Sequence, residues 1–202
     1  MSTDEETLQY KCAQDPRYYH GTGPRTVLEQ EMMLPPLTAL VQRFVDGPNA
    51  RYKNTNGTTF VPPPLIADFT NGDQTNKLAA AIGVFDPQAL LLSTYIPRNR
   101  IFKASNFVSM RGIIAFECLS CRNGPFMRIK LSDAVYPISN CKSGPGQSCP
   151  LASYQAPVAK KLKAAGNFEK SCNITASVIS SGSERTTFLT DVRLPFELVL
   201  KP

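Results

Sequence analysis

Apolar residues recur at helical spacing in two stretches of this chain and cluster as strands in two others. Leu37, Leu40, Val41, Phe44 and Val45 keep the period of one helix face, which predicts an amphipathic helix over 37–45. Leu78, Ala79 and Ile82, among three alanines, predict a second, shorter helix over 74–82. Leu65 to Phe69 reads as a buried strand just before it, delayed to that point by the prolines at 62–64. Strand, turn and helix then form one unit, the kind whose turn carries ligand sites in α/β proteins. The clearest strand signal is a hairpin: Arg111 to Leu119 outward, Asn123-Gly124 supplying positive φ angles, and Phe126 to Leu131 returning.

Punctuation residues add two further helices. Thr3 and Glu6 stand at the spacing of a capping box, in which hydroxyl and carboxylate satisfy each other's backbone donors. The helix that opens there is expected to break at Pro16, since an interior proline costs ~3 kcal/mol. Pro157 suits the first position of a helix over Val158 to Ala165. Beyond Cys172, Val178, Ile179, Phe188, Leu189, Val192 and Leu194 suggest extended segments and loops.

Composition narrows the class. At 202 residues, with 42% apolar and 19% charged side chains and seventeen prolines, the chain suits one loop-rich globular domain. No run approaches the ~18 apolar residues of a membrane span, so no membrane partner is expected. The net charge of +6 would suit an anionic partner. Its densest groups, Arg98-Asn99-Arg100 with Lys103 and Lys160-Lys161-Leu162-Lys163, do not interleave aromatics as a base-stacking surface does. They read as a solvated basic face, and no nucleic-acid partner is expected. The start, Met1-Ser2-Thr3-Asp4-Glu5-Glu6, lacks the features of a secretory signal, which implies a cytosolic chain if made as written. Two sequons, Asn56-Gly57-Thr58 and Asn173-Ile174-Thr175, instead suit a secreted glycoprotein.

A single histidine, His20, removes two-histidine zinc sites, and no Gly-x-Ser-x-Gly elbow or phosphate-binding glycine loop is present. Cys118 and Cys121, three apart on a strand, point to opposite faces, and Cys141 and Cys149 are spaced eight apart, so neither a metal nor a cofactor is expected. Cys141 and Cys149 flank the turn-forming Ser143-Gly144-Pro145-Gly146 and are expected to form a disulfide.

Glu117-Cys118-Leu119-Ser120-Cys121, Arg128, Asp133-Ala134-Val135-Tyr136-Pro137-Ile138 and Cys141 to Cys149 together resemble the carboxy-terminal end of a fungal histidine acid phosphatase, the family that includes the phytases. Tyr10, Ala13, Gln14, Asp15, Tyr18, Tyr19, Gly21, Gly23 and Pro24 are similar to its helix and following turn, and Phe69-Thr70-Asn71-Gly72-Asp73 falls where the family shows Phe-Thr-His-Asp. The resemblance covers about 3–172 of a single domain spanning 1–202, leaving 173–202 as a poorly matched tail. It implies an α/β architecture, an incomplete carboxy-terminal part of the phosphoglycerate-mutase-like (histidine phosphatase) fold.

The family's chemistry follows as an implication. An Arg-His-Gly histidine attacks phosphorus, and the aspartate of a later His-Asp pair protonates the leaving alkoxide. This chain has no Arg-His-Gly; Asn71 stands in for the second histidine as a substrate-binding residue, Gly72 for the aspartate. Asp73 would donate the proton if the turn shifts by one residue, and is otherwise the helix amino-cap. The resemblance also implies secretion. Cys121 and Cys172 resemble family cysteines whose mates lie in an amino-terminal half, so Cys12, Cys118, Cys121 and Cys172 have no expected partner. The expectation is a truncated phosphatase segment without turnover, whose partner is a phosphate monoester if a site survives. The alternatives are a non-catalytic anion- or partner-binding module, and an active enzyme entered at an internal methionine. An incomplete sheet implies self-association.

Overall fold

The computed structural model describes residues 3–53, 57–92, 94–95, 97–108 and 111–166. Asn56, Cys172, Asn173 and the expected extended segments after them lie outside these residues. Helix α1 spans Asp4–Gly21 and opens on the expected capping box: the Glu6 N–H donates to Thr3 Oγ1 at 3.2 Å, and the Thr3 N–H to Glu6 Oε2 at 2.8 Å. It does not break at Pro16. The last two turns bury Asp15 and Tyr19, and those contacts offset the one ladder bond that the proline removes.

Helices α2 (Val27–Glu31) and α3 (Leu34–Asp46) follow. The stripe expected for α3 is present and begins earlier, with Leu34, Leu37 and Val41 buried, Leu40 and Phe44 packed at the core margin, and Val45 exposed. Its start is displaced because Pro35 and Pro36 occupy the first turn, where a missing donor costs nothing. A two-residue pair, β1 (Tyr52–Lys53) and β2 (Thr59–Phe60), closes the loop after it.

Residues 65–69 depart from expectation. They take no part in a sheet, and their apolar side chains face solvent: Leu65 is 80% and Phe69 98% exposed. A strand needs a neighbour for its backbone groups, and none lies beside this run among the described residues. Helix α4 (Gly72–Ile82) comes next and buries Ala79, Ala80, Ala81 and Ile82.

The hairpin forms as expected from β3 (Ile114–Cys121) and β4 (Gly124–Leu131). Its turn is Arg122-Asn123, and the positive φ sits on Gly124 (106°) rather than on Asn123, the arrangement of a turn that is closed by a glycine. Two short strands, β5 (Ala134–Val135) and β6 (Cys149–Pro150), pair with β4, so the sheet is antiparallel with β3 at one side. Helix α5 runs Leu151–Ala165, seven residues longer at its start than expected, with Pro157 inside it. Leu151, Tyr154 and Val158 form its buried face, which explains why packing carries the helix through the proline. No helix among the described residues is long and apolar enough to cross a membrane.

Cys141 and Cys149 are disulfide-bonded, with Cα atoms 4.9 Å apart. The bridge ties the segment after β5 to β6. Gly144 inside the loop lies against the Phe126 ring and Ser148 Oγ, so closely that a Cβ would collide with both. By the chain-entropy relation so short a loop stabilises by ~2.6 kcal/mol. Reduction, or Cys141→Ser with Cys149→Ser, is therefore expected to lower the unfolding free energy by about that amount, read as a shift of the urea midpoint. An unchanged midpoint would show the bridge to be energetically silent.

Candidate functional site

The residues singled out by the sequence meet at the amino-terminal end of α4. Asn71 is the helix amino-cap, with extended backbone (φ −72°, ψ 152°) and no capping bond from its side chain. Its carbonyl accepts the Gln74 N–H at 3.0 Å. Asp73 is therefore not the cap, contrary to one of the two roles expected for it; it sits in the first turn, exposed. There its charge complements the positive helix end. Asn71, Gly72 and Asp73 are all exposed, directly after the exposed run that ends at Phe69.

The helix start is held firmly from behind. Thr75 Oγ1 donates to Gly72 O at 2.6 Å and lies 3.4 Å from Phe107 O. A Cβ on Gly72 would stand 3.1 Å from Val108 O, so the glycine lets the segment at 104–108 approach. One turn on, buried Asn76 donates through Nδ2 to Tyr18 O at 3.0 Å and to Thr22 Oγ1 at 2.9 Å, binding α4 to the end of α1. Lys77 pairs with Glu29 of α2. At the far end Gly83 (φ 92°) turns the chain out of the helix, and α5 supplies donors to the last carbonyls: Tyr154 Oη to Ile82 O at 3.2 Å, and Lys161 Nζ to Ala81 O at 3.0 Å. Burial, with a smaller contribution from the charge of Asp86, pushes the Tyr154 phenol far above its ordinary range, so it acts there as a hydrogen-bond donor.

Two basic groups read from the sequence as a solvated face are thus partly structural. Lys161 caps α4, and the Arg100 guanidinium pairs with Asp15 inside the fold. Asp15 is 1% exposed; its Oδ2 takes the Arg100 Nε–H at 2.5 Å and its Oδ1 the Ala104 N–H at 2.8 Å. Sequence reasoning missed this pair because its members are 85 residues apart and no local pattern links them.

His20 is exposed, and its Nε2 lies 2.9 Å from Leu91 O, to which it donates. Among the described residues no hydrogen bond or ion pair joins it to Cys12, Asn71 or Asp73. Nor is any group of three or more His, Cys, Asp or Glu side chains close enough there to hold a metal ion. Cys12, Cys118 and Cys121 are free thiols, and burial pushes the Cys118 thiol above its ordinary range although the residue is exposed overall.

No sequence-family profile matches the chain. Individual proteins do. Acid phosphatase PHO12 of Saccharomyces cerevisiae is 26% identical over 187 residues, 92% of this chain and 37% of that protein, and the repressible acid phosphatase of the same yeast is 29% identical over the same span. Phytase PHO112 of Candida albicans is 32% identical over 98 residues, 48% of this chain and 21% of the phytase. The chain thus spans about a third of the length of the curated acid phosphatases it matches across most of its own. Among solved structures, the crystal structure of the phytase from D. castellii superposes with a TM-score of 0.68 at 25% identity, covering 85% of this chain and 35% of the phytase. In sequence and in fold, the chain is a relative of the fungal acid phosphatases and phytases of the histidine phosphatase family, matched over a part of that architecture.

Proposed function

We propose that this chain is a segment of a phosphomonoester-hydrolysing scaffold and that it does not turn over phosphomonoesters by itself. The observation that carries the reading is the amino-terminal end of α4: Asn71, Gly72 and Asp73 are exposed on a helix start braced by α1 and residues 104–108. Its relatives bear the names of acid phosphatases and phytases. In this reading the Asn71 amide binds an ester oxygen, and Asp73 holds the proton destined for the leaving alkoxide. Attack on phosphorus requires a nucleophile, and the 202 residues contain no Arg-His-Gly to supply one. The exposed apolar run through Leu65 and Phe69 is then the surface that the remainder of an α/β sheet would cover. The disulfide of Cys141 and Cys149 fits a secreted protein.

The purified chain is expected to release no nitrophenol from p-nitrophenyl phosphate above a buffer blank at acid pH. Turnover that disappears in Asp73→Asn would overturn the inactive reading while supporting the site. The net charge of +6 favours one second reading, an anion-binding module without turnover. Equilibrium binding of p-nitrophenyl phosphate that is intact in Asp73→Asn and lost at high salt would select it.

A further inference from the structure

Strand β3 ends the four-stranded sheet: β4 pairs with one side of it, and no strand among the described residues pairs with the other. Two hydrogen bonds show which backbone groups face that free side. Ile129 of β4 gives its carbonyl to the Tyr136 N–H at 3.0 Å, away from β3. Phe116, opposite Ile129, therefore belongs to a non-hydrogen-bonded pair, with its own N–H and C=O turned outward. The Ser132 N–H donates to Ile113 O at 2.6 Å, so Ile113 faces β4 and the alternation has the same phase. Phe116, Cys118 and Ser120 thus present along one line backbone groups that no described residue pairs as a strand.

Exposed edges of this length are ordinarily blunted by lysine, proline or a bulge. β3 has none of these. Glu117 is its one charged residue, and it is engaged across the hairpin by Arg128, Nε to Oε2 2.5 Å. Pairing between two copies about a two-fold axis must match outward-facing residues with each other, which leaves two registers that use most of the strand. One sets Glu117 against the partner's Glu117, a directly opposed like-charge pair that is unfavourable. The other places Cys118 on the axis, opposite the partner's Cys118, and sets Glu117 opposite the partner's Leu119. Cys118 is a free, exposed cysteine. Directly opposed residues of a hydrogen-bonded antiparallel pair have Cα atoms ~5.5 Å apart, inside the range that a disulfide spans.

We propose that β3 is the docking edge for a second copy of this chain, in the register centred on Cys118, and that a disulfide oxidant such as oxidised glutathione closes a bridge between the two Cys118 residues. In the first step one Cys118 thiolate attacks oxidised glutathione, forming a mixed disulfide and releasing one glutathione thiolate. In the second, the partner's Cys118 thiolate displaces the other glutathione. The two thiol protons end on the two glutathiones, so two cysteines are oxidised and one disulfide is reduced. The proposal rests on the edge of β3 alone and does not depend on the phosphate chemistry proposed for α4.

The test uses the full chain, incubated with reduced and oxidised glutathione, alkylated and separated without reductant, with sedimentation equilibrium reporting the non-covalent dimer. A covalent dimer is expected that disappears on reduction and in Cys118→Ser but persists in Cys12→Ser, Cys121→Ser and Cys172→Ser. In the Cys118→Ser background, Leu119→Lys should tighten the non-covalent dimer by ~2- to 30-fold and Leu119→Glu weaken it similarly, because each position meets the partner's Glu117 twice per dimer. Ser120→Pro should abolish the dimer by removing an outward donor while leaving the bonds to β4 intact. The proposal is overturned by a covalent dimer that survives Cys118→Ser, by a chain that stays monomeric at every concentration, or by equal effects of Leu119→Lys and Leu119→Glu.

Discussion

Asp15→Ala should cost ~3–5 kcal/mol of folding free energy, the range for removing one partner of a buried ion pair. Asp15 is enclosed, and its two oxygens serve different masters: Oδ2 holds the Arg100 guanidinium and Oδ1 the Ala104 N–H. Alanine would strand a guanidinium whose side chain is only 12% exposed and leave a buried backbone donor without an acceptor. Against a total stability of about 5–15 kcal/mol for a typical domain, the loss is large. The measurement is the urea midpoint at unchanged slope. Asp15→Asn should recover part of the loss, since its carbonyl can still accept from Ala104, and the double change Asp15→Leu with Arg100→Met should cost less than Asp15→Ala. A shift below about 1 kcal/mol for Asp15→Ala would mean that water reaches the pair and that the carboxylate is not what anchors the segment around Ala104.

Phe102→Ala should be of similar size, ~3–5 kcal/mol. Phe102 is fully buried, with its ring edge-on to Tyr19 at 5.3 Å, Phe85 at 5.0 Å and Phe107 at 5.4 Å between centroids. Truncation would open a cavity bounded by three rings, each fixed by the others, so little collapse can fill it. Phe102→Leu should lose markedly less. Because Phe102 lies between Arg100 and Ala104, its loss and that of Asp15 should not add: the double variant should cost less than the sum of the two. Additivity within experimental error would show two independent anchors.

The parts of the fold legible in the sequence are those governed by nearby residues. Thr3 with Glu6, the stripe of α3, the hairpin and the bridge of Cys141 with Cys149 each depend on groups within about a turn or a loop of one another, so spacing sufficed. Both prolines misled for one reason. The local cost of Pro16 or Pro157 is real, but burial of Asp15 and Tyr19 in one helix and of Leu151, Tyr154 and Val158 in the other outweighs it, and burial is not visible locally. The run at 65–69 failed in the opposite direction. Its residues suit a buried strand, yet no strand lies beside it among the described residues, and strand character without a neighbour leaves Phe69 exposed. At the candidate site, the positions of Asn71 and Asp73 at the start of a helix were legible. Which of them caps it was not, because asparagine and aspartate are equivalent by that criterion.

The two donors that α5 extends to the end of α4, together with the braces behind its first turns, fix the direction of that helix. Eleven residues place its first turn ~16 Å from the Tyr154 and Lys161 clamp. A tilt of about 5° there would carry Asn71 and Asp73 by roughly 1.4 Å, and misplacements near 1 Å are enough to cost about a hundredfold in a positioned reaction. On the proposed phosphate site, two side chains that never approach the ligand would then help to set where Asn71 and Asp73 stand.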